Sequence, residues 1–513
     1  MEWTSDQARA LEKLNSPENV FLTGGAGTGK STLVRHFIEK SLAEAEHLKT
    51  IEISPLQKVA MQKAEEKAVK DAAVKEAARK LAEKKNKDSK NQDAFNFDFS
   101  FAFDDQSSNS ASGVGENSLM AKGLEIAEPK IQLPYSPGRV AVLASTGTAA
   151  ILLGGRTFHS FFGLGIMEGG IEQTFDRATR HRGIVTRLKK TDTILIDEIS
   201  MIGANEWIVA EKIARKARNV SAPWGGLRVI AVGDFAQLPP VVRSFGQSPD
   251  EQKPWAFLTE TWRNTELEAV NLKQIVRSND SNWNQILNEL RWGECSEYAA
   301  EVLQSRMRSV PLEFQGTRLY ARRAQAEKLN HDRLETLSGT AREFNTVYMG
   351  HAQKIDDLKK NAPIPEILIL KEGALVMFRQ NDPDYKFVNG TLGIVKKLPS
   401  SASGTSKIEI ELFNGRLIEL GTNTFSLLDA EGEPLATATN FPINLAWAST
   451  IHKAQGATLD RAHVDLKGVW EHGQSYVALS RVRSLDDLTL EGLSPRSFRV
   501  DPAVTDFYRN LKS

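Results

Sequence analysis

The run Gly24-Gly25-Ala26-Gly27-Thr28-Gly29-Lys30-Ser31-Thr32 carries the clearest chemistry in the chain. Its Gly24, Gly29, Lys30 and Ser31 fit the pattern G-x-x-x-x-G-K-[ST]. Closely spaced glycines let backbone N–H groups turn inward around a phosphate, and a helix N-terminus adds the positive end of its dipole. Lys30 is placed to reach the outer phosphates, and the Ser31 hydroxyl to hold Mg²⁺. The apolar strand Asn19-Val20-Phe21-Leu22 before the loop and the periodic Leu33, Val34, Phe37 and Ile38 after it supply the context this motif needs. The residues from Gly24 to Thr32 are therefore predicted to bind a nucleoside triphosphate.

Hydrolysis needs further groups. Leu195-Ile196-Asp197-Glu198 ends an apolar strand with two carboxylates. Asp197 suits a Mg²⁺ ligand acting through water, and Glu198 suits the base that takes the proton of the attacking water. Gln237, in Gly233-Asp234-Phe235-Ala236-Gln237-Leu238-Pro239-Pro240, presents a neutral amide able to sense the terminal phosphate; a turn built on Gly233 and the prolines is the structural alternative. Charge developing on a transferred phosphoryl group calls for an arginine from the far side of a cleft. Arg277 and Arg481 have that chemistry, though position alone does not single them out. Gln7 has two readings, as the partner of Thr4 in a capping box or as an amide that reads an adenine edge.

These groups need a scaffold, and the totals allow one of several domains. The chain has 513 residues, 41% hydrophobic and 25% charged, with 65 basic and 65 acidic side chains. A balanced charge does not by itself favour nucleic acid, although a local basic channel fits within a neutral total. A single cysteine, Cys295, excludes an internal disulfide or a cysteine zinc site and suits a reducing interior. No apolar run of about 18 residues is present to span a membrane. Met1-Glu2-Trp3 leads straight into a helical pattern, which predicts no signal or transit peptide and a cytoplasmic protein, nucleoid-associated if bacterial.

The runs around 139–144, 193–198 and 227–234 read as buried strands of a parallel sheet, each ending in polar residues or glycine. Ligands sit beyond the carboxyl ends of such strands, so these ends should line one site. Between the first helix and these strands lies a change of composition. Residues 56–87 are rich in Ala, Lys and Glu, and 91–117 in Ser, Asn and Asp with spaced phenylalanines. This predicts an insertion over 42–137, helical first and largely disordered afterwards. It reads as a solvated spacer, with a partner-binding segment as the alternative. A second α/β region is expected from 258, with strands near 316–321, 462–466 and 488–490 and helices over 324–337 and 474–482. Short strands over 373–440, two of them joined by Asn414-Gly415, predict a small β-barrel inserted in it. The expected division is a first α/β domain over 1–41 and 138–257, a second over 258–372 and 441–513, and the barrel over 373–440.

Taken in order, these motifs together with Ser145-Thr146-Gly147, Gly155-Arg156-Thr157-Phe158-His159-Ser160-Phe161, Asp197-Glu198-Ile199-Ser200-Met201, Ser449-Thr450-Ile451-His452-Lys453-Ala454-Gln455-Gly456 and Tyr476-Val477-Ala478-Leu479-Ser480-Arg481 resemble the Pif-type (petite-integration-frequency) branch of superfamily-one DNA helicases. The resemblance covers all but about 42–137. It implies an α/β fold of two RecA-like P-loop domains with parallel sheets, an SH3-like barrel in the second, and movement on single-stranded DNA from five-prime to three-prime. It favours the adenine role for Gln7. It makes Gln237, Arg277, Gln455, Gly456 and Arg481 contacts of the triphosphate. Thr146, Gly147, Thr148, His159, Ser160, Thr450, His452 and Lys453 resemble its strand-contacting positions; their hydroxyls, imidazoles and lysine suit phosphate. Phe161 and Phe162 are equally suited to stacking a base or filling the core, and are assigned to neither.

The expected protein is an ATP-dependent DNA helicase using ATP and Mg²⁺, active as a monomer on single-stranded and forked DNA, with a wedge over about 163–190. Alternatives are a translocase subunit of a larger recombination or conjugation machine, and a non-catalytic DNA-binding scaffold. Intact Lys30, Glu198 and Arg481 speak against the scaffold. An oligomeric remodeller would share Asp197-Glu198 without the motifs around His452 and Ser480.

Overall fold

The computed structural model describes residues 3–51, 139–165, 167, 170–240, 255–311, 313–382, 384, 386–399, 407–428, 434–493 and 495–511. The chain divides into two compact units, Met1–Ala43 with Tyr135–Ser513, and Glu44–Pro134. The expected helix over 56–87 and the Ser/Asn-rich stretch over 91–117 lie outside the described residues, and the fold below is that of the larger unit.

Its first sheet is built from β1 (Val20–Gly24), β2 (Val140–Ala144), β3 (Arg156–Thr157), β4 (Thr193–Asp197), β5 (Arg228–Val232) and β6 (Glu268–Leu272), in the spatial order β3-β2-β4-β5-β1-β6. Every pairing is parallel. β1, β4 and β5 are buried along their whole length, as strands covered on both faces must be. Their register brings the carboxyl ends together: Leu22 lies opposite Val232, and Ala144 opposite Asp197. The phosphate loop, the acidic pair and the Gly233 turn therefore leave the sheet on one edge.

Two boundaries differ from expectation. β6, placed by sequence in the second region, pairs with β1 from Val20 to Gly24. Its half-buried Glu268, Ala269 and Asn271 break the apolar run that marks the other strands. The helix Pro502–Arg509, also expected in the second domain, sends Val504, Phe507 and Tyr508 into the core of the first sheet, against Phe21, Phe235 and Trp262. Residues 170–180 and 182–190, within the expected wedge, form two helices whose Ala178, Ile184 and Leu188 are buried in that same core. Phe161 and Phe162 are core residues, 2% and 0% exposed, which removes them as stacking surfaces.

A second parallel sheet contains Ala448–Thr450, Thr317–Tyr320, Ala462–Asp465 and Leu488–Glu491 in that spatial order. The four strands expected over 373–440 lie in one antiparallel sheet, and two further strands of that stretch lie in another. Leu375–Phe378, Leu392–Lys397, Ile408–Leu412 and Leu417–Leu420 join Ile443–Leu445 in a five-stranded sheet. Asn423–Leu428 and Pro434–Asn440 join Val347–Gly350 in a three-stranded one. The hairpin at Asn414-Gly415 is present, with Gly415 at a φ of 80°. No helix among the described residues is long and apolar enough to cross a membrane.

Candidate active site

The loop after β1 turns through glycines that no other residue replaces without strain. Gly27 has a φ of 81°, and a Cβ there would lie 2.7 Å from the Cβ of Arg277; at Gly29, with a φ of 92°, it would lie 2.5 Å from Gln7 Nε2. The helix Lys30–Ile51 starts at the end of this turn. Lys30 Nζ donates to the carbonyls of Gly24 (2.7 Å) and Gly25 (3.0 Å), so the ammonium lies back across the cradle that the loop forms. Burial lowers its pKa, opposed by Asp234, Glu198 and Asp197. Of the two readings of Gln7, the capping box is present. Its backbone N–H donates to Thr4 Oγ1 and its Oε1 accepts from the Thr4 N–H, which closes the capping box, while its Nε2 donates to Thr28 O at 3.1 Å.

The acidic pair stands across from the loop. Asp197 Oδ1 accepts from the Glu198 N–H at 2.9 Å, and Glu198 takes a left-handed backbone (φ 53°, ψ 47°) that turns its side chain off the strand axis. Such conformations cost about 1–3 kcal/mol and persist where the surroundings hold them. Glu198 Oε2 accepts from Gln455 Nε2 at 3.0 Å. Burial, then the neighbouring Asp197, pushes the Glu198 carboxyl up to about 7, and burial also raises Asp197. A base poised near neutrality suits proton transfer at physiological pH. Ser31 is exposed at the helix start and Asp197 closes β4. A hydroxyl and a carboxylate beside phosphate oxygens make an all-oxygen set, which fits Mg²⁺.

The opposite wall is cationic. Arg277 Nη1 donates to Ser480 O at 2.8 Å, and burial lowers its pKa to about 10. Arg481 is 2% exposed; Nε donates to Val477 O (2.7 Å), Nη1 to Ala457 O (3.3 Å) and Nη2 to Ser480 Oγ (2.7 Å). Burial and then Arg277 bring it down to about 9, against the pull of Glu198. Gln237 is buried with Nε2 3.5 Å from Asp234 Oδ2. Gly456 has a φ of 77° and open space where a Cβ would stand.

Sequence reasoning missed a buried network beneath these groups. Asp234 accepts from Arg291 Nε (3.1 Å) and Nη2 (3.0 Å), and from the Tyr508 hydroxyl (3.2 Å). The Tyr508 hydroxyl also accepts from the Phe235 N–H and shares a hydrogen bond with Thr23 Oγ1. Burial disfavours the Arg291 cation, but Asp234 and then the two tyrosines outweigh it and hold the pKa above its ordinary value. The Tyr476 hydroxyl accepts from the Ala26 N–H at 2.7 Å. The same carboxylate sets the Gln237 turn, since Asp234 Oδ1 accepts from the Ala236 N–H at 3.2 Å. The ion pair thus ties the Gln237 turn to the helix Ser281–Arg291. Only Asp234 and Tyr476 lay within recognisable motifs; Arg291 and Tyr508 carry no local signal.

The expected strand-contacting residues fall in two groups. Thr146 caps the helix Gly147–Leu152 by accepting from the Ala149 N–H. Gly147 is buried under Asn361, whose Cβ is 2.2 Å from where a Gly147 Cβ would stand, and Thr148 Oγ1 donates to Asn361 O. These two positions are covered in this conformation. His159 and Ser160 begin the next short helix, Phe158–Phe162. Thr450 is mostly buried and accepts from the Lys453 N–H, His452 Nε2 lies 3.2 Å from Glu471 Oε2, and Lys453 is exposed.

Comparison with known proteins gives this arrangement a family. Residues 130–303 match the model of the PIF1-like helicases. The ATP-dependent DNA helicase Pif1 of Bdellovibrio bacteriovorus is 37% identical over 512 residues, covering 100% of this chain and 93% of that protein. The chain belongs to the PIF1-like helicase family. A human PIF1 helicase is 32% identical over 406 residues, which are 78% of this chain and 60% of that protein. The crystal structure of a Pif1 helicase from Candida albicans matches with a TM-score of 0.65 at 28% identity over 100% of both chains. That of a Bacteroides Pif1 in complex with ADP-AlF4 matches with a TM-score of 0.71 at 24% identity, covering 99% of this chain and 97% of the other, and shows the shared fold.

Proposed function

We propose that this PIF1-like chain hydrolyses ATP between its two parallel sheets and uses the closing and reopening of that cleft to step along single-stranded DNA from five-prime to three-prime. Family membership makes it an ATP-hydrolysing DNA helicase. The mechanical cycle is our reading, as are the RecA-like character of the two domains, an SH3-like role for the antiparallel strands, and action as a monomer on forked DNA. The helices over 170–190 are the wedge candidate.

The phosphate loop holds the triphosphate, with Lys30 turning from its own loop carbonyls to the outer phosphates. Ser31 and Asp197 would hold Mg²⁺, which offsets phosphate charge when bound. Glu198 takes the proton of the attacking water, while Arg277 and Arg481 face the charge that develops. Gln237 reports the terminal phosphate through the turn that Asp234 and Arg291 brace.

One observation carries the coupling. The segment Ser449–Gly456, which carries the expected strand-contacting residues Thr450, His452 and Lys453, also holds Gln455, whose Nε2 donates to Glu198 Oε2 at 3.0 Å. A strand that shifts this segment moves a donor on the catalytic carboxylate. Two states that differ in strand affinity are what stepping requires. Gln455→Ala should keep strand affinity and lose most of the rise in ATP turnover that single-stranded DNA produces. Steady-state ATPase titrated with oligonucleotide measures this; full stimulation in the variant would break the proposed link.

A further inference from the structure

Arg379 follows the strand Leu375–Phe378 and is 6% exposed. Its backbone N–H donates to Pro442 O at 2.8 Å, but its side chain is poorly served. A guanidinium carries five N–H donors and a charge. Among the described residues Nη1 reaches only the thioether sulfur of Met377, at 3.5 Å, and Nε is buried with no acceptor. Burial alone lowers its pKa, to about 10, so it keeps its charge at neutral pH with no carboxylate to balance it. Three other buried arginines each have carboxylate or carbonyl oxygens on the guanidinium. Arg291 has Asp234, Arg228 has the carbonyls of Leu14 and Glu18, and Arg481 has those of Val477 and Ala457.

Burying an unpaired cation is strongly unfavourable unless an anion joins it in some state of the protein. The surroundings indicate which anion. The turn after Arg379 folds back so that the Gly390 N–H donates to Phe378 O at 2.9 Å. Gly390 lies on Thr458, where a Cβ would be 2.4 Å from the Thr458 carbonyl, and the Thr458 N–H donates to Asn389 O. The turn that begins at Arg379 is thereby held against Thr458, just past the segment that carries His452 and Lys453. Lys453 feels Arg379: after burial, the charges of Arg323 and Arg379 depress the Lys453 pKa, opposed by Glu327. Glu327 is already paired with Arg323.

We propose that Arg379 receives a backbone phosphate of the bound single strand, extending the contacts of Lys453 from the second parallel sheet onto the end of the neighbouring antiparallel strand. Phosphate oxygens supply the acceptors that Nε and the terminal nitrogens lack, in the planar fork geometry that favours arginine over lysine. The inference rests on the strand-translocation reading and adds a contact absent from the resemblance.

The test compares wild type, Arg379→Met and Arg379→Lys in binding a fluorescent oligothymidylate across a salt series, with thermal unfolding of each protein in the absence of DNA. Arg379→Met should unfold at a higher temperature than wild type, because it removes a buried unpaired charge. It should also bind the oligonucleotide roughly tenfold more weakly, the scale of one charge-assisted contact. Its plot of log affinity against log salt should be shallower by about 0.7 for the phosphate lost, and Arg379→Lys should keep the wild-type slope. An Arg379→Met protein with unchanged affinity and slope overturns the proposal, as does one that only unfolds more easily, which would mark a structural role. A wild-type protein that does not bind the oligonucleotide at all would instead overturn the strand-translocation reading beneath it.

Discussion

Arg481→Ala should lower the turnover number for ATP by roughly 10³–10⁵ while changing the apparent affinity for ATP far less. The guanidinium is desolvated, still charged with its pKa at about 9, and fixed by the carbonyls of Val477 and Ala457 before any nucleotide arrives. A buried, pre-oriented cation stabilises charge that develops in the transition state without reorganising first. Removal leaves the carbonyls of Val477 and Ala457 without this donor, so Arg481→Lys serves as a companion: it restores charge but not the fork, and should recover only part of the rate. Pre-steady-state ATPase with separate nucleotide-binding titrations distinguishes the two quantities. Unchanged turnover in both variants would move the role to Arg277.

Glu198→Gln should bind ATP and hydrolyse it about 10²–10⁴-fold more slowly, the usual effect of removing a general base. The amide fills the same space and still meets Gln455, so a folding defect is not expected. Its pH behaviour adds a second check. The carboxyl is held up to about 7 by burial and by Asp197, and only the ionised form accepts a proton. For the free enzyme kcat/KM for ATP should therefore fall as the pH drops through about 7, and level off above it. In Glu198→Gln this inflection should vanish. Equal loss of nucleotide binding and turnover, or an inflection that survives, would remove Glu198 from the role.

The parts of the fold legible in sequence were those with dense local signals. β1, β4 and β5 are continuous apolar runs, and they lie adjacent with their polar ends on one edge. β6 was missed because an edge strand with Glu268 and Asn271 lacks that signature. The docking of Pro502–Arg509 on the first sheet depends on contacts such as Tyr508 to Thr23, which no local periodicity reports. The same holds for the antiparallel strands: the Asn414-Gly415 hairpin is encoded in two residues, whereas the pairing of Pro434–Asn440 with Val347–Gly350 is not.

For the site, the glycines and Lys30 of the phosphate loop announce themselves by type and spacing, and the residues that brace the surrounding groups do not. Asp234 reads as part of a turn until Arg291 and Tyr508 converge on it. Tyr476 is one member of its motif, and the bond of its hydroxyl to the Ala26 N–H has no local signal. Arg379 is one arginine among many until its buried Nε is seen to lack an acceptor among the described residues. Gln7 illustrates the reverse case: its capping box with Thr4 is legible in four residues of sequence, whereas the bond of its Nε2 to Thr28 O in the phosphate loop is not.

The most direct measurement is strand displacement by the purified chain on matched DNA duplexes carrying a single-stranded tail of either polarity, with and without ATP. The account predicts unwinding that requires ATP and a five-prime tail, and that is lost in Arg481→Ala. Unwinding from the three-prime tail alone, or none from either under conditions where ATP is hydrolysed and the strand is bound, would contradict it.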